Sequence, residues 1–437
     1  MIVAKNPIAL YIVYMLVQQA RYIDNTFHLV SGAIRIENDR IVRIEASLSP
    51  LPDEEVFQAD GLLIIPALAD CHIHTPDTLL RGLFQDMALA DWCDDSVQGR
   101  LQKKAFAYLD NSVGSEDFHT LVLHSYLQYV RQGIGFVVEN GQADHSFAIL
   151  QQGLEEIGLK GVVDLYTDVY SGLSQTATII HGTHVPEEED LDPESLREAI
   201  RARTAILSSG ENHPIMTHCL ETDSRRQEIM HKYGVSTVEL LRQNGLLGPG
   251  TLLFHCVQVD ASDIATIGAF GALVVHCPVS NSWSGAGRMP LVAMLEQGIP
   301  IVLGTDFLHH DLWETMRATY YELKQQGMTG YGINEVFTMA TANAGLIAGG
   351  GLYQGVIRAG APADIAFLKL EDCLQPLVEC PGFSNVVHNL ISQTQPDMIR
   401  HLMVAGKWVM RDRKVLTVDE TTVETEYRRI RKMLFTD

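Results

Sequence analysis

The chain has 437 residues, more than one ordinary domain and enough for a large core. It is 46% hydrophobic with 35 glycines, the make-up of a globular α/β enzyme. Its 32 basic and 54 acidic side chains give a net charge of −22, with nothing basic clustered enough to neutralise phosphates, which argues against nucleic acid or an anionic membrane as partner.

The apolar run Ile8 to Val17 is ten residues, short of the ~20 that a membrane helix needs. It lacks the basic start and small-residue cleavage site of a signal peptide, and reads as a strand. A hairpin follows. Ala33–Glu37 and Ile41–Glu45 alternate apolar and polar residues around Asn38-Asp39. The same alternation returns at Asp364–Leu368, His401–Ala405 and Lys407–Met410, with a turn at Gly406. Short antiparallel strands near both termini predict a small composite β-sandwich from residues 1–65 and 352–437, with residues 66–351 inserted as a second domain.

That insert repeats a short apolar strand, a polar or glycine break, and a helix. The predicted strands are Leu62–His74, Gly133–Glu139, Gly161–Val169, Thr178–Thr183, Pro214–His218, Thr251–His255, Ala272–Cys277 and Ile299–Thr305. Helical stretches such as Glu194–Leu207, Thr237–Asn244 and Leu312–Gln326 lie between them. Eight strands with intervening helices predict a (β/α)8 TIM barrel. Between Val169 and Thr178 there is no room for a helix, so one βα unit is truncated or a strand is misread there. The acidic stretch Glu187–Asp190 reads as a solvated loop.

Seven cysteines, without a Cys-x-x-Cys, predict free thiols and a reducing, cytoplasmic compartment. Cys71, Cys219, Cys256 and Cys277 each adjoin a histidine, and adjacent strand residues face opposite sides. These cysteines are expected to pack between barrel and helices.

In such a barrel, polar residues at the C-terminal strand ends are the candidates for chemistry. His72 and His74 end the first strand, two apart and so on one face. His218, His255 and His276 end the fifth, sixth and seventh, and Asp306 ends the eighth. Three imidazoles and a carboxylate suit Zn2+ or Fe2+ with one position left for water, whose pKa the cation lowers towards 7. Glu221, three residues past His218, is either an acid–base group or a charge complementing a helix dipole.

These motifs resemble the amidohydrolase superfamily, in its branch of aminohydrolases and chlorohydrolases that act on heterocyclic rings. Pro66–His74 is similar to the first-strand motif, and Leu79–Leu83, running to Asp91-Trp92, to the segment after it. His218-Cys219-Leu220-Glu221-Thr222, His276–Asn281 and Gly304-Thr305-Asp306 resemble the motifs of strands five, seven and eight. Met339–Ala344 and Gly360–Ile365 are similar to the helix and strand that return to the sandwich.

The resemblance implies that His72, His74, His218 and Asp306 bind one divalent metal ion, Zn2+ or Fe2+. It implies that Glu221 carries protons to a ring nitrogen, that His255 orients the attacking water, and that Asp306 also takes a proton from it. His184, in a segment similar to the strand-four motif, is expected to contact substrate, with His276 and Asn281 in the same pocket. No lysine ends strand three or four, so a carboxylated-lysine bridge between two metals is not expected. The branch usually carries glycine and small polar residues after strand eight. Here Phe307, His309 and His310 follow, and they either stack on a planar ring or cap the barrel. Trp92 and Trp283 are candidate rim residues.

The expected reaction is hydrolytic deamination of a purine, pterin, pyrimidine or nucleoside by metal-activated hydroxide, releasing ammonia. The alternatives are loss of chloride or alkylamine from a triazine-like ring, opening of a cyclic amide, or a non-catalytic scaffold. Relatives of this kind imply a homo-oligomer.

Overall fold

The computed structural model describes residues 14–165, 174–209, 213–327, 330–347 and 350–435. Eight parallel strands form the centre in chain order: β1 (Leu68–Ile73), β2 (Ile134–Glu139), β3 (Lys160–Asp164), β4 (Ile179–His184), β5 (Ile215–Cys219), β6 (Thr251–His255), β7 (Leu273–His276) and β8 (Ile301–Leu303). Every residue of these strands is buried, as expected for parallel strands covered on both faces. The ring closes where the Asp306 N–H donates to His72 O at 2.8 Å and Ile73 bridges Asp306. Gly304 makes that closure possible, since a Cβ there would lie 2.6 Å from the Cβ of His72.

Two cores sit back to back across the strands. Ala69, Phe136, Val162, Met216, Phe254 and Val275 fill the barrel interior. Leu68, Val137, Ile215, Leu253 and Val274 face the surrounding helices. The predicted helices appear as Pro193–Ser209, Thr237–Gln243 and Leu312–Gln325. Asp311 caps the last, accepting from the Glu314 N–H at 3.0 Å. The cysteine expectation holds for Cys219 and Cys256, which pack on the helix side. It fails for Cys71 and Cys277, which lie inside the barrel.

Strands from both termini join in one nine-stranded sheet around a core that includes Met15, Ile34, Phe57, Phe367 and Met403. Leu62–Pro66 pairs antiparallel with Ile365–Lys369 and touches Tyr14–Ile23 at Ile64 and Tyr22, so it joins the two termini. The expected hairpin is Leu29–Glu37 against Arg40–Glu45, turning at Asn38 with φ +54°. A buried ion pair ties this sheet to the barrel. Lys160, at the entry of β3, places Nζ 2.8 Å from Asp364 Oδ2 and 2.9 Å from Leu352 O.

Strand three ends at Asp164, and residues 174–178 before β4 are irregular. Residues 166–173 of that connection, Val169 among them, lie outside the described residues, as do Ile8 to Val13 of the first predicted strand. A closing helix, Glu420–Phe435, packs on the helix Glu116–Val130.

Candidate metal centre

One ligand atom from each of His72, His218, His255 and Asp306 lies within 4.8 Å of the others, at the C-terminal mouth of the barrel. His74 joins them through Nε2, 3.2 Å from Asp306 Oδ1, the same separation as His72 Nε2. Four predicted strand ends thus meet at one point. The quartet whose ligand atoms all lie within 4.8 Å of one another includes His255, where the sequence reading takes His74.

Strand periodicity alone does not aim these side chains. On β1, Ala69 and Cys71 point into the barrel, so alternation would turn His72 outwards. The pairing of β1 with β2 slips between Asp70 and Ile73, and the His72 ring instead stacks on Phe254 at 3.9 Å. On β6, Leu252 and Phe254 point inwards, and His255 is re-aimed by a left-handed φ of +67°. Asp306 has φ +65° and Leu220, between His218 and Glu221, has φ +49°. Left-handed backbone in three non-glycine residues at strand ends marks a constrained site.

The ring partners set the tautomers. His74 Nδ1 donates to Asn140 O at 2.8 Å, leaving Nε2 towards Asp306. His255 Nδ1 donates to Asn281 Oδ1 at 2.8 Å, with Nε2 3.9 Å from Asp306 Oδ2. His218 Nδ1 lies 2.6 Å from Glu187 Oε1. Such outer partners hold imidazoles in ligand geometry. Burial pushes His72 well below the usual imidazole range, against the pull of Asp306, so it is neutral. Burial pushes the Asp306 carboxyl up, but His72 and His255 outweigh it and hold it well below the usual carboxylate range. Ser280 Oγ donates to Asp306 Oδ2. Both His72 ring nitrogens are buried without a hydrogen-bond partner. A neutral His72 with both ring nitrogens orphaned, beside an ionised carboxylate, fits a divalent cation. Burial opposes charge on His74, but Asp306 outweighs burial and raises it above the usual imidazole range, giving it a proton that a cation there would displace.

A cavity of about 240 Å3 opens onto the cluster. Glu221 and Arg225 form part of its wall, and Trp92, Phe106 and Phe307 form an aromatic side. Glu221 sits before the helix Asp223–Tyr233, whose cap is Thr222, so it faces the cavity and not the first helical turn. Arg225 Nη1 lies 2.6 Å from Glu221 Oε2, and its Nη2 is 2.7 Å from Glu189 Oε1.

Other expected substrate contacts lie elsewhere. His276 Nε2 is 3.2 Å from Glu322 Oε2 on the helix Leu312–Gln325, so it faces outwards. Asn281 gives its Oδ1 to His255, while its Nδ2 is buried without a partner. Trp283 backs Trp92 at 5.7 Å, and with His309 it lines a separate cavity beside Arg81 and Gln85. His184 is buried between Asp164, 2.7 Å away, and Glu187. Burial opposes its charge, but those two carboxylates outweigh burial and raise it to about 10.

The acidic stretch is solvated only in its second half: Glu189 and Asp190 are exposed, while Glu187 and Glu188 turn into the protein. Glu187 supports His218, and Glu189 pairs with Arg225. Glu188 is 1% exposed and accepts from the Leu220 N–H at 2.7 Å and from Thr237 Oγ1 at 2.6 Å. Glu187, Ser280 and Asp164 were not anticipated. Ser280 lay in the strand-seven motif beside Asn281, and nothing in the spacing marked the other two.

Residues 63–409 match the amidohydrolase family. The chain is 27% identical over 433 residues to a 5'-deoxyadenosine deaminase of Methanosarcina barkeri, covering 93% of this chain and 94% of that one. Its fold is similar to a zinc-bound adenosine deaminase of Xanthomonas campestris, with TM-score 0.84 and 19% identity over 97% of this chain and 99% of the other. It is also similar to a zinc-bound atrazine chlorohydrolase of Arthrobacter aurescens, with TM-score 0.80 and 17% identity over 95% and 100% of the two chains. A match that spans the whole barrel and reaches into the terminal sheet places this chain in the amidohydrolase family.

Proposed function

We propose that this amidohydrolase, a hydrolase of carbon–nitrogen bonds, removes the exocyclic amine of an adenosine-type purine or a related heterocycle. Water replaces the amine, and ammonia leaves. The observation that carries this reading is the meeting of His72, His74, His218, His255 and Asp306 at one point, with Glu221 in the wall of the same cavity. The full-length similarity to a 5'-deoxyadenosine deaminase supports the substrate class.

His72, His74, His218 and Asp306 hold one divalent ion, with zinc favoured by the zinc-bound fold relatives. Such an ion supplies Lewis acidity and makes a water nucleophilic near neutral pH. Trp92, Phe106 and Phe307 stack on the planar ring. Glu221 protonates the ring nitrogen next to the amino-bearing carbon as water adds there. Asp306 accepts a proton from that water, and His255 orients it and hydrogen-bonds the oxygen as charge develops. A proton passed to the amine lets it leave as ammonia, and the carbon keeps the oxygen as a carbonyl. His276, Trp283 and His309 take no part at the ring. The enzyme works as a homo-oligomer in the cytoplasm, which its seven cysteines suit. Among the described residues, no helix is long and apolar enough to cross a membrane.

The test is release of ammonia and chloride, measured side by side, from 5'-deoxyadenosine, adenosine, guanine, a pterin, cytosine and a chlorotriazine. Ammonia from a purine is expected. Chloride release alone would move the chain to the dechlorinating reading. Glu221→Gln is expected to keep its metal and lose about 10²- to 10⁴-fold in turnover. Normal turnover in that variant refutes the proton-carrying role.

A further inference from the structure

A second cavity, of about 840 Å3, lies between the closing helix Glu420–Phe435 and the segment that follows β1. Its charge is opposite to that of the chain. Arg81, Arg131, Arg428, Arg431 and Lys432 line it, against the single carboxylate of Glu424. Against the expectation that nothing basic is clustered enough to meet phosphate, the run Arg428-Arg429-Ile430-Arg431-Lys432 supplies three of these cations, and folding adds Arg81 and Arg131 from some 300 residues away.

The cations are not equally engaged. Arg131 is held by Glu420 at 2.7 Å and Glu424 at 3.1 Å. Arg428 reaches Glu424 only at 3.9 Å. Arg81 meets the imidazole of His310, its Nη2 3.0 Å from Nδ1. Among the described residues, no carboxylate lies within 4.0 Å of Arg81 or Arg431. The floor is rigid. Tyr427 stacks on the buried His124 with ring centres 3.6 Å apart and planes 6° from parallel, and its hydroxyl donates to Thr78 O at 3.0 Å.

We propose that this cavity binds a phosphoryl group, dianionic at neutral pH, on Arg81, Arg428 and Arg431. Planar guanidinium forks match tetrahedral oxyanions and are weakly hydrated, so they bind such groups better than scattered ammonium groups do. The concave shape and fixed aromatic floor suit a small phosphate-bearing molecule, not a flat polymer. This site does not depend on the deaminase reading.

The cavity also has a route to the metal centre. His310 accepts from Arg81 at Nδ1 and donates from Nε2 to Asp77 Oδ1 at 2.9 Å, and Asp77 Oδ2 accepts the Leu308 N–H at 2.6 Å. Leu308 follows Phe307, which forms part of the active-site wall. A phosphoryl group drawn onto Arg81 competes for the N–H that His310 accepts.

The experiment is calorimetric titration of the metal-loaded full chain with inorganic phosphate, ribose 5-phosphate and uncharged ribose at constant ionic strength. Saturable binding of the two phosphates with Kd at or below about 1 mM is expected, with none for ribose. The double variant Arg428→Gln/Arg431→Gln, both on the exposed helix face, should weaken it about tenfold or more. Arg81→Gln should weaken it independently. Tighter binding of ribose 5-phosphate would assign the site to a phosphate ester, and equal binding to inorganic phosphate. No saturable binding overturns the proposal. So does binding unchanged in these variants, which would place phosphate at the metal centre. A smaller sedimenting mass for the double variant, without phosphate binding by the unsubstituted chain, also overturns it and assigns the face to contact between copies.

Discussion

Asn281 Oδ1 accepts a hydrogen bond from His255 Nδ1 at 2.8 Å. That bond fixes which ring nitrogen of His255 faces Asp306, so Asn281 positions the histidine. Asn281→Ala should lower kcat by about 10- to 100-fold, the usual effect of losing an outer partner of a metal-site histidine. Metal content should be unchanged if His255 acts on water. Asn281→Asp keeps an acceptor and should recover part of kcat while shifting the pH profile. Ammonia-release kinetics and elemental analysis check both, and an unaltered kcat in the alanine variant would remove the positioning role.

Glu188 supports the turn that separates His218 from Glu221. Its carboxylate accepts from Leu220 N and Thr237 Oγ1 in a buried setting, where burial raises its pKa. Glu188→Ala leaves the Leu220 N–H unpaired, and should cost about 2–3 kcal/mol of stability. Glu188→Gln retains an acceptor and should cost less. Urea unfolding of the three proteins measures the order, and equal midpoints would contradict it.

Acid should weaken the fold through His124. Burial, reinforced by Arg81 and Arg131 and opposed by Glu424, lowers it from 6.5 to about 4. A histidine lowered in the folded state binds fewer protons there than in the unfolded chain. Its stabilising contribution is therefore complete above 6.5 and is lost as pH falls towards 4, a swing on the order of 3 kcal/mol. His124→Gln should flatten the pH dependence of the urea midpoint over that window, and a slope unchanged by the substitution would assign the acid sensitivity to other groups.

The barrel and four of its functional strand ends were legible because buried parallel strands read as apolar runs and because polar residues close those runs. The direction of each side chain was less legible. Val275 and Cys277 point into the barrel, so His276 between them faces Glu322. Reading His276 as inward and Cys277 as outward put period two in the wrong phase. His72 and His255 go the other way, since a register slip and a left-handed residue override the alternation. The acidic stretch misled because charge in sequence suggests water. Its partners His218, Arg225 and Thr237 come from other segments. The cationic cavity was hidden for the same reason, since only three of its five cations are neighbours in the chain.

The left-handed residues at Leu220, His255 and Asp306 bear on how this protein can change. Each holds a conformation costing on the order of 1 kcal/mol that glycine would relieve. At His255 and Asp306 that relief would delete a side chain of the centre, and at Leu220 it would loosen the turn between a proposed metal ligand and the proposed proton carrier. The rim of the barrel is thus where selection for robustness and selection for turnover pull apart. Variants chosen only for heat resistance should gather on the outer helices and the terminal sheet, and leave these three positions as they are.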